Sequence, residues 1–525
     1  MYDYVVVGAG SAGCVLASRL SQDPDVTVCL IEAGPADTAE NIHIPVGFGK
    51  LFRTHLDWDY DTHEEPSLGR RRIYLPRGRV LGGTSSTNTM VYVRGNRIDF
   101  DEWNQPGWSY GQLLPYFMRS EDNERGESPY HAIGGPLAVS DGRSNNPMCS
   151  AFVEAAAQAG YPLNDDFNGA TQDGFGYFQL TQREGRRCST AAAFLRPALD
   201  RPNLTVETNI QVHRVLIEHG RAVAVTGYRL DQAMTISASR EVILCAGAYN
   251  SPQLLMLSGI GPAGLLTALG IPVVLDQPHV GQNLQDHALV PLVFTHSHPI
   301  SLLAANQPQH VQRFIEESRG PLTANGPEAG GFVRTSGGLP APDVEFLAAP
   351  VMFADSGLGT PTHHAISFGP SMLTPRSRGS VLLASDDPTA KPKISHNYFA
   401  DETDLDSAVE ATRIGLHLAR QKALARYNEG QFQPPASESD RDLRGYVRSY
   451  VHSIFHPAGT CAMGTVVDAE LQVLGVEALR VVDASVMPTL VRGNPNAATI
   501  AIAEKAADVI SGSAPLQWQV AAVAR

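Results

Sequence analysis

Two segments late in the chain carry the side chains best suited to acid–base chemistry. The first is His452-Ser453-Ile454-Phe455-His456-Pro457-Ala458-Gly459-Thr460. The second starts at Asp483 and continues through Arg492-Gly493-Asn494-Pro495-Asn496-Ala497. Imidazole is the side chain best matched to removing a proton near neutral pH. An asparagine beside it can donate or accept a hydrogen bond at the same oxygen without changing charge. A hydroxyl-bearing substrate held against an oxidising cofactor needs such a pair. On spacing alone the same residues also suit a plainer role: a core histidine, and Asn496 as N-cap of a helix over 497–510. His452 stands four residues before His456, a metal-ligand spacing on a helix, but no acid or cysteine completes a metal site. His363 and His364 fall in a loop, and His287 reads as structural.

The oxidant would come from the other end of the chain. Residues 1–34 read as strand, glycine turn, helix, strand. Tyr4–Val7 is an apolar run, followed by Gly8-Ala9-Gly10-Ser11-Ala12-Gly13, and 26–31 is a second buried-type strand ending on Glu32. Gly8 permits the turn, Gly10 lets backbone approach a pyrophosphate, and Gly13 lets the helix pack on the strand. The helix start presents free N–H groups to phosphate. Glu32 lies 22 residues after Gly10, near the spacing at which an acid meets a ribose hydroxyl pair. This stretch alone suits either NAD or FAD.

The remaining elements must bring these distant segments together. A chain of 525 residues calls for at least two domains. A formal net charge of −14 argues against nucleic acid and offers no basic handle for anionic lipid, leaving at most peripheral membrane association. Six scattered cysteines without a CxxC pattern, and a strand starting at the initiator Met, fit a cytoplasmic protein. No apolar run reaches the roughly 18 residues that span a bilayer. Residues 35–75 read as an irregular excursion, and 101–200 as helices and loops. Three runs from Leu204 to Leu230 resemble a β-meander, and 241–245 is a further buried strand leading into a helix over 251–257. Segments near 343–346, 365–368 and 380–383, with helices over 404–420 and 440–450, suggest a second domain on an antiparallel sheet. The residues after Ser511 read as a loose tail. The predicted fold is α/β: a Rossmann-like, discontinuous cofactor domain (1–290 and 452–525) and an α+β substrate domain (291–451).

Several long motifs, in order, resemble the glucose–methanol–choline (GMC) family of FAD-dependent oxidoreductases. They are the glycine turn with Glu32, PRGRVLGGTSSTN (76–88), GAYNSPQLLMLSGIGP (247–262), VGQNLQDH (280–287), PRSRGSV (375–381), HPAGTCAMG (456–464) and DASVMP with GNPNAATIAIAEKAAD (483–508). The chain looks most like the bacterial alcohol dehydrogenase and choline dehydrogenase branch, which shares EAGGFVR, here Glu328–Arg334. The resemblance implies that Gly8, Gly10, Ser11, Gly13 and Glu32 hold the FAD pyrophosphate and ribose, that Val212 meets the adenine, and that Arg79, Gly83, Ser85 and Asn88 lie along the flavin. Asp483, Asn494 and Asn496 would approach the ribityl chain and the pyrimidine end. His456 looks like the catalytic histidine and Asn494 like its partner, with Phe455 and Glu328 on the substrate side. Thr87 stands where some members carry a histidine bonded to the flavin, which implies non-covalent FAD. The implied reaction is oxidation of a primary alcohol to an aldehyde, by proton removal at His456 and hydride transfer to flavin N5, with electrons passing to a quinone or to oxygen. Some members are instead hydroxynitrile lyases with no net redox.

Overall fold

The computed structural model describes residues 1–517; positions 518–525, part of the tail expected after Ser511, lie outside them. The first sheet is seven-stranded. Its centre is β1 (Tyr2–Val7), whose Tyr4–Val7 stretch is buried on both faces, as an interior parallel strand requires. Helix α1 (Ser11–Leu20) follows, and then β2 (Val28–Ile31) pairs with β1 in parallel. Strand β3 (Leu204–Glu207) extends this edge, in parallel with β2. The expected meander is therefore displaced by one strand. It consists of β4 (Gln211–Glu218), β5 (Arg221–Arg229) and β6 (Gln232–Leu244), each antiparallel to the next. The run near 241–245 is no separate strand. It is the far end of β6, which leaves the meander and enters the core beside β1, in parallel. One backbone thus serves both arrangements, because an exposed to half-buried stretch precedes the buried Val242–Leu244.

Helix α2 (Gly247–Leu257) starts directly after β6. Far along the chain, β7 (Leu479–Val481) pairs with β6 in parallel, and α3 (Asn496–Ser511) closes the layer against α1. The first sheet is thus completed by both chain ends.

The second sheet is eight-stranded and antiparallel. Its main strands are Leu292–His296, Ala329–Val333, Val344–Ala349 and His364–Met372. It also draws short strands from outside 291–451: Gly174–Tyr177, Ala288–Leu289 and Ser453 with its neighbour His452. The run at Ser380–Leu382 does not join it and instead pairs with Lys393–Ser395. The helix Glu402–Ala419 packs on this sheet. Leu347 and Ala349, and opposite them Ser367 and Gly369, share one face by the two-residue period of a strand and line the central cavity. The stretch 35–75, expected to be irregular, folds back with short helical turns and contributes Phe48, Phe52 and Trp58 to the same cavity. Among the described residues no helix is long and apolar enough to cross a membrane.

Candidate active site

A cavity of about 950 Å³ runs between the two sheets. At one end lie the starts of two helices. Gly10, Ser11 and Ala12 of the β1–α1 turn line it, as do Pro495, Asn496 and Thr499 at the start of α3. Ser11 Oγ donates to Asn496 Oδ1 at 2.7 Å, which locks the two helix starts together. Asn496 is not the expected N-cap: Pro495 takes that position, and Asn496 is the first helical residue. Neither helix start carries a side-chain cap, so both leave backbone N–H groups and positive dipole ends toward the cavity.

The glycines of the turn divide their work. A Cβ on Gly13 would sit 1.9 Å from the Gly8 carbonyl oxygen, so Gly13 serves helix–strand packing. A Cβ on Gly10 would meet nothing nearer than 3.9 Å. Nothing within the chain requires glycine there; the space in front of it suits a close-packed ligand. Glu32 lines the same end, accepting from the Ala9 and Gly34 N–H groups, each at 2.9 Å, and burial pushes its carboxyl up to about 7. Two helix starts, an open glycine and a buried acid fit the diphosphate and ribose of FAD. Val212, Gly83 and Asn88 also line the cavity. Asn88 Oδ1 accepts from Arg187 Nη1 at 2.9 Å. Asp483 lines it too, but its carboxylate is taken by Gly247 N–H, Ser251 Oγ and Ser485 N–H, which makes it the anchor of α2.

Besides Gly13, which packs helix on strand, three predicted residues lie outside the lining. Ser85 is turned inward, donating to the Gly82 carbonyl at 2.6 Å, and shapes the loop rather than facing the cavity. Arg79 lays its guanidinium over the Trp58 ring, 5.1 Å from its centroid. Glu328 sits behind the wall, with Oε2 3.5 Å from the Asn146 N–H and Oε1 unpartnered; burial pushes this acid up to about 7.

Beside the α3 start, the cavity also holds His456 and Asn494. Asn494 Nδ2 donates to His456 Nε2 at 3.2 Å, while the buried Asn494 Oδ1 has no partner. An amide with one end on the base and the other free is poised to meet a further polar group. Burial holds the His456 imidazole well below the ordinary histidine value, so it is a neutral base. Its backbone is pinned from both sides. Asp286 accepts the His456 N–H at 2.7 Å, and Arg77 Nη2 donates to the Phe455 carbonyl at 2.7 Å. Phe455, at φ 69°, occupies the left-handed region, a cost borne where the surroundings over-determine the turn. Phe52 meets the Phe455 ring edge-on at 6.2 Å, and Phe353 stacks on His452 at 4.8 Å.

Sequence reasoning missed Arg77, Asp286 and this aromatic wall. Arg77 lay in a recognised motif but read as part of a glycine loop. Phe48, Phe52 and Phe353 carry no motif at all, since they are gathered from separate loops.

A family model described as GMC oxidoreductase matches residues 2–289, and a second with the same description matches residues 375–503. The chain belongs to the GMC oxidoreductase family. Members of this family are FAD-binding flavoenzymes, and the glycine turn, Glu32 and the two helix starts are where this chain would hold the cofactor. The human protein named choline dehydrogenase, mitochondrial (Homo sapiens), is 45% identical over 98% of this chain and 91% of its own length. A Pseudomonas putida protein named alcohol dehydrogenase [acceptor] is 42% identical over 97% of this chain and 96% of its own. The crystal structure of pyridoxine 4-oxidase from Mesorbium loti superposes with a TM-score of 0.90 at 31% identity, covering 98% of this chain and 100% of that one.

The two glycines make a test of the cofactor end. Gly13→Ala should destabilise the fold by about 2–3 kcal/mol, because backbone cannot move aside for the added carbon. Gly10→Val should leave the melting temperature of flavin-free protein near wild type and cut FAD retention. Thermal melts with and without added FAD check both, and a Gly10→Val protein that retains FAD like wild type would refute the assignment.

Proposed function

We propose that this GMC oxidoreductase oxidises an uncharged primary alcohol to an aldehyde, with His456 as the base. The observation that carries the reading is the His456–Asn494 pair at the inner end of the cavity, neutral, buried and hydrogen-bonded. The hydroxyl proton goes to His456 Nε2, so that the O–H bond breaks as the N–H bond forms. Asn494 holds the oxygen as it gains negative charge, and its amide is held in advance by its hydrogen bond to His456. The apolar wall of Phe52, Phe353 and Phe455 keeps water from the developing alkoxide. FAD, when bound, supplies the two-electron acceptor for the hydrogen on carbon. For the second half-reaction a carrier such as a quinone is favoured over oxygen; the name of the Pseudomonas putida relative, alcohol dehydrogenase [acceptor], leaves the acceptor unspecified. The separate, unpaired cysteines suit a cytoplasmic setting.

Charge selects the substrate class. Among the described residues lining the cavity, the acids are Glu32 and Asp483, at the helix end, and Asp483 is fully engaged. Toward the histidine end stand Arg77 and, at the rim, the exposed Lys50. A cationic alcohol would meet cations there, whereas a benzylic or aliphatic alcohol fits the aromatic wall. The lyase alternative has no observation in its favour.

His456→Ala should slow anaerobic flavin reduction by about 10²–10⁴-fold. In the wild type the same rate should stay level as pH falls through 6.5, because a base held below its ordinary value remains unprotonated there. Stopped-flow bleaching of the flavin reads both, and reduction by His456→Ala at the wild-type rate would sink the role. Glu328→Gln should change KM for choline by less than about threefold, since its carboxylate lies behind the wall; a loss of tenfold or more would place that acid on the substrate. The threonine at position 87 leads to a fourth expectation: acid precipitation should release all of the FAD into the supernatant, and a yellow pellet would show a covalent bond.

A further inference from the structure

His287 lies behind His456, outside the cavity lining, and it is completely buried. It arrives there through strand register. Ala288 pairs with Ser453 and Leu289 with His452, so the residue before this short strand comes level with the turn leading to His456. The Ile454 N–H donates to the His287 carbonyl at 3.1 Å and fixes that register.

The two rings meet nitrogen to nitrogen. His287 Nδ1 lies 3.0 Å from His456 Nδ1, and His287 Nε2 lies 3.2 Å from the Leu373 carbonyl oxygen. A carbonyl only accepts, so His287 Nε2 carries a proton. Burial holds His287 down to about 4, so the ring is neutral and its Nδ1 is bare. A bare nitrogen 3.0 Å from His456 Nδ1 requires that His456 Nδ1 be the donor. A neutral His456 protonated at Nδ1 has its lone pair on Nε2, the nitrogen that accepts from Asn494 at the cavity.

We infer that His287 is a positioning residue that fixes the tautomer of the base, through the chain Leu373 carbonyl, His287 N–H, His287 Nδ1, His456 N–H. The inference rests on the assignment of His456 as the base. Without the partner, the proton of a neutral His456 would distribute between its two nitrogens, and every molecule with Nε2–H would be unable to accept the substrate proton. The partner has a second effect once the proton has been taken up: the imidazolium formed keeps its Nδ1–H on a neutral acceptor, so the new charge is partly compensated in a buried place. A carboxylate in this position would raise the basicity of His456 and hold it protonated, whereas an imidazole orients the ring and leaves it neutral.

Two substitutions separate positioning from packing. His287→Leu fills the space and offers no acceptor. His287→Asn places an amide oxygen where Nδ1 stands and keeps the acceptor. The purified holoenzymes are compared for FAD content and melting temperature, for anaerobic flavin reduction with benzyl alcohol across pH, and by ¹⁵N spectra of histidine-labelled protein, with the His456 signals identified by their loss in His456→Ala. Wild-type His456 should show a bare Nε2 and a protonated Nδ1. His287→Leu should reduce its flavin about 10²-fold more slowly at every pH, with KM little changed and mixed tautomers at His456. His287→Asn should recover most of the lost rate and the wild-type spectrum. A protonated Nε2 in the wild type, or a wild-type rate in His287→Leu, would overturn the inference. Should His287→Leu fail to fold, the wild-type spectrum and the His287→Asn rate still decide. If His456→Ala is slow while His287→Leu is fast, only the tautomer role falls; if both are fast, the base assignment falls with it.

Discussion

The contact on which the rest of the structure depends is the pairing of α1 with α3, elements from opposite ends of the chain. Ser11 Oγ joins Asn496 across 485 residues of sequence, and Arg19 binds the fully buried Glu504 at 2.7 Å. Arg119 reaches the same carboxylate at 2.7 Å. An acid stripped of water in this way is tolerable only while its partners are in place, so the ion pairs specify one docking of α3. That docking sets the direction of the α3 start, and with it the position of Asn494. The paired helix starts and the Asn494–His456 contact are thereby one construction: shifting α3 would disturb both together.

The second sheet completes the arrangement from the other side. Its strands present alternate residues to the cavity, and its short strands Ala288–Leu289 and His452–Ser453 carry His287 and His456 to within 3.0 Å of each other. His456 therefore follows directly on a strand of the second sheet. Asp286, adjacent to His287, serves the backbone of the same turn. The QDH and HPAG motifs, 169 residues apart, form a single local unit held by antiparallel hydrogen bonds.

Conventional motif reading explains part of the site well. Gly8, Gly10, Gly13 and Glu32 occupy a strand–turn–helix–strand arrangement whose geometry is local, so their spacing alone carried it. Asn494 and His456 could be paired only by resemblance, since nothing in their spacing shows that they touch. Arg79, Ser85 and Glu328 stand beside the right segments and yet do not line the cavity. A motif gives the position of a backbone, while the direction of a side chain depends on its neighbours: Trp58 draws Arg79 away, the Gly82 carbonyl turns Ser85 inward, and Glu328 points toward Asn146.

Sequence by itself determined the α/β class, the family, the dinucleotide turn and the location of the last helix, because each rests on short-range periodicity, glycine spacing or long contiguous motifs. Tertiary structure alone decided that β6 serves two sheet arrangements at once, that Phe48, Phe52 and Phe353 from separate loops share the cavity wall with His456, and that the charged groups lining that part of the cavity are Arg77 and Lys50. It also brought His287 to Nδ1 of His456 and Asn494 to Nε2. The physical reason is the same in each case: burial, hydrogen-bond register and proton location depend on groups brought together from hundreds of residues apart, and no local pattern encodes the atom that will face them.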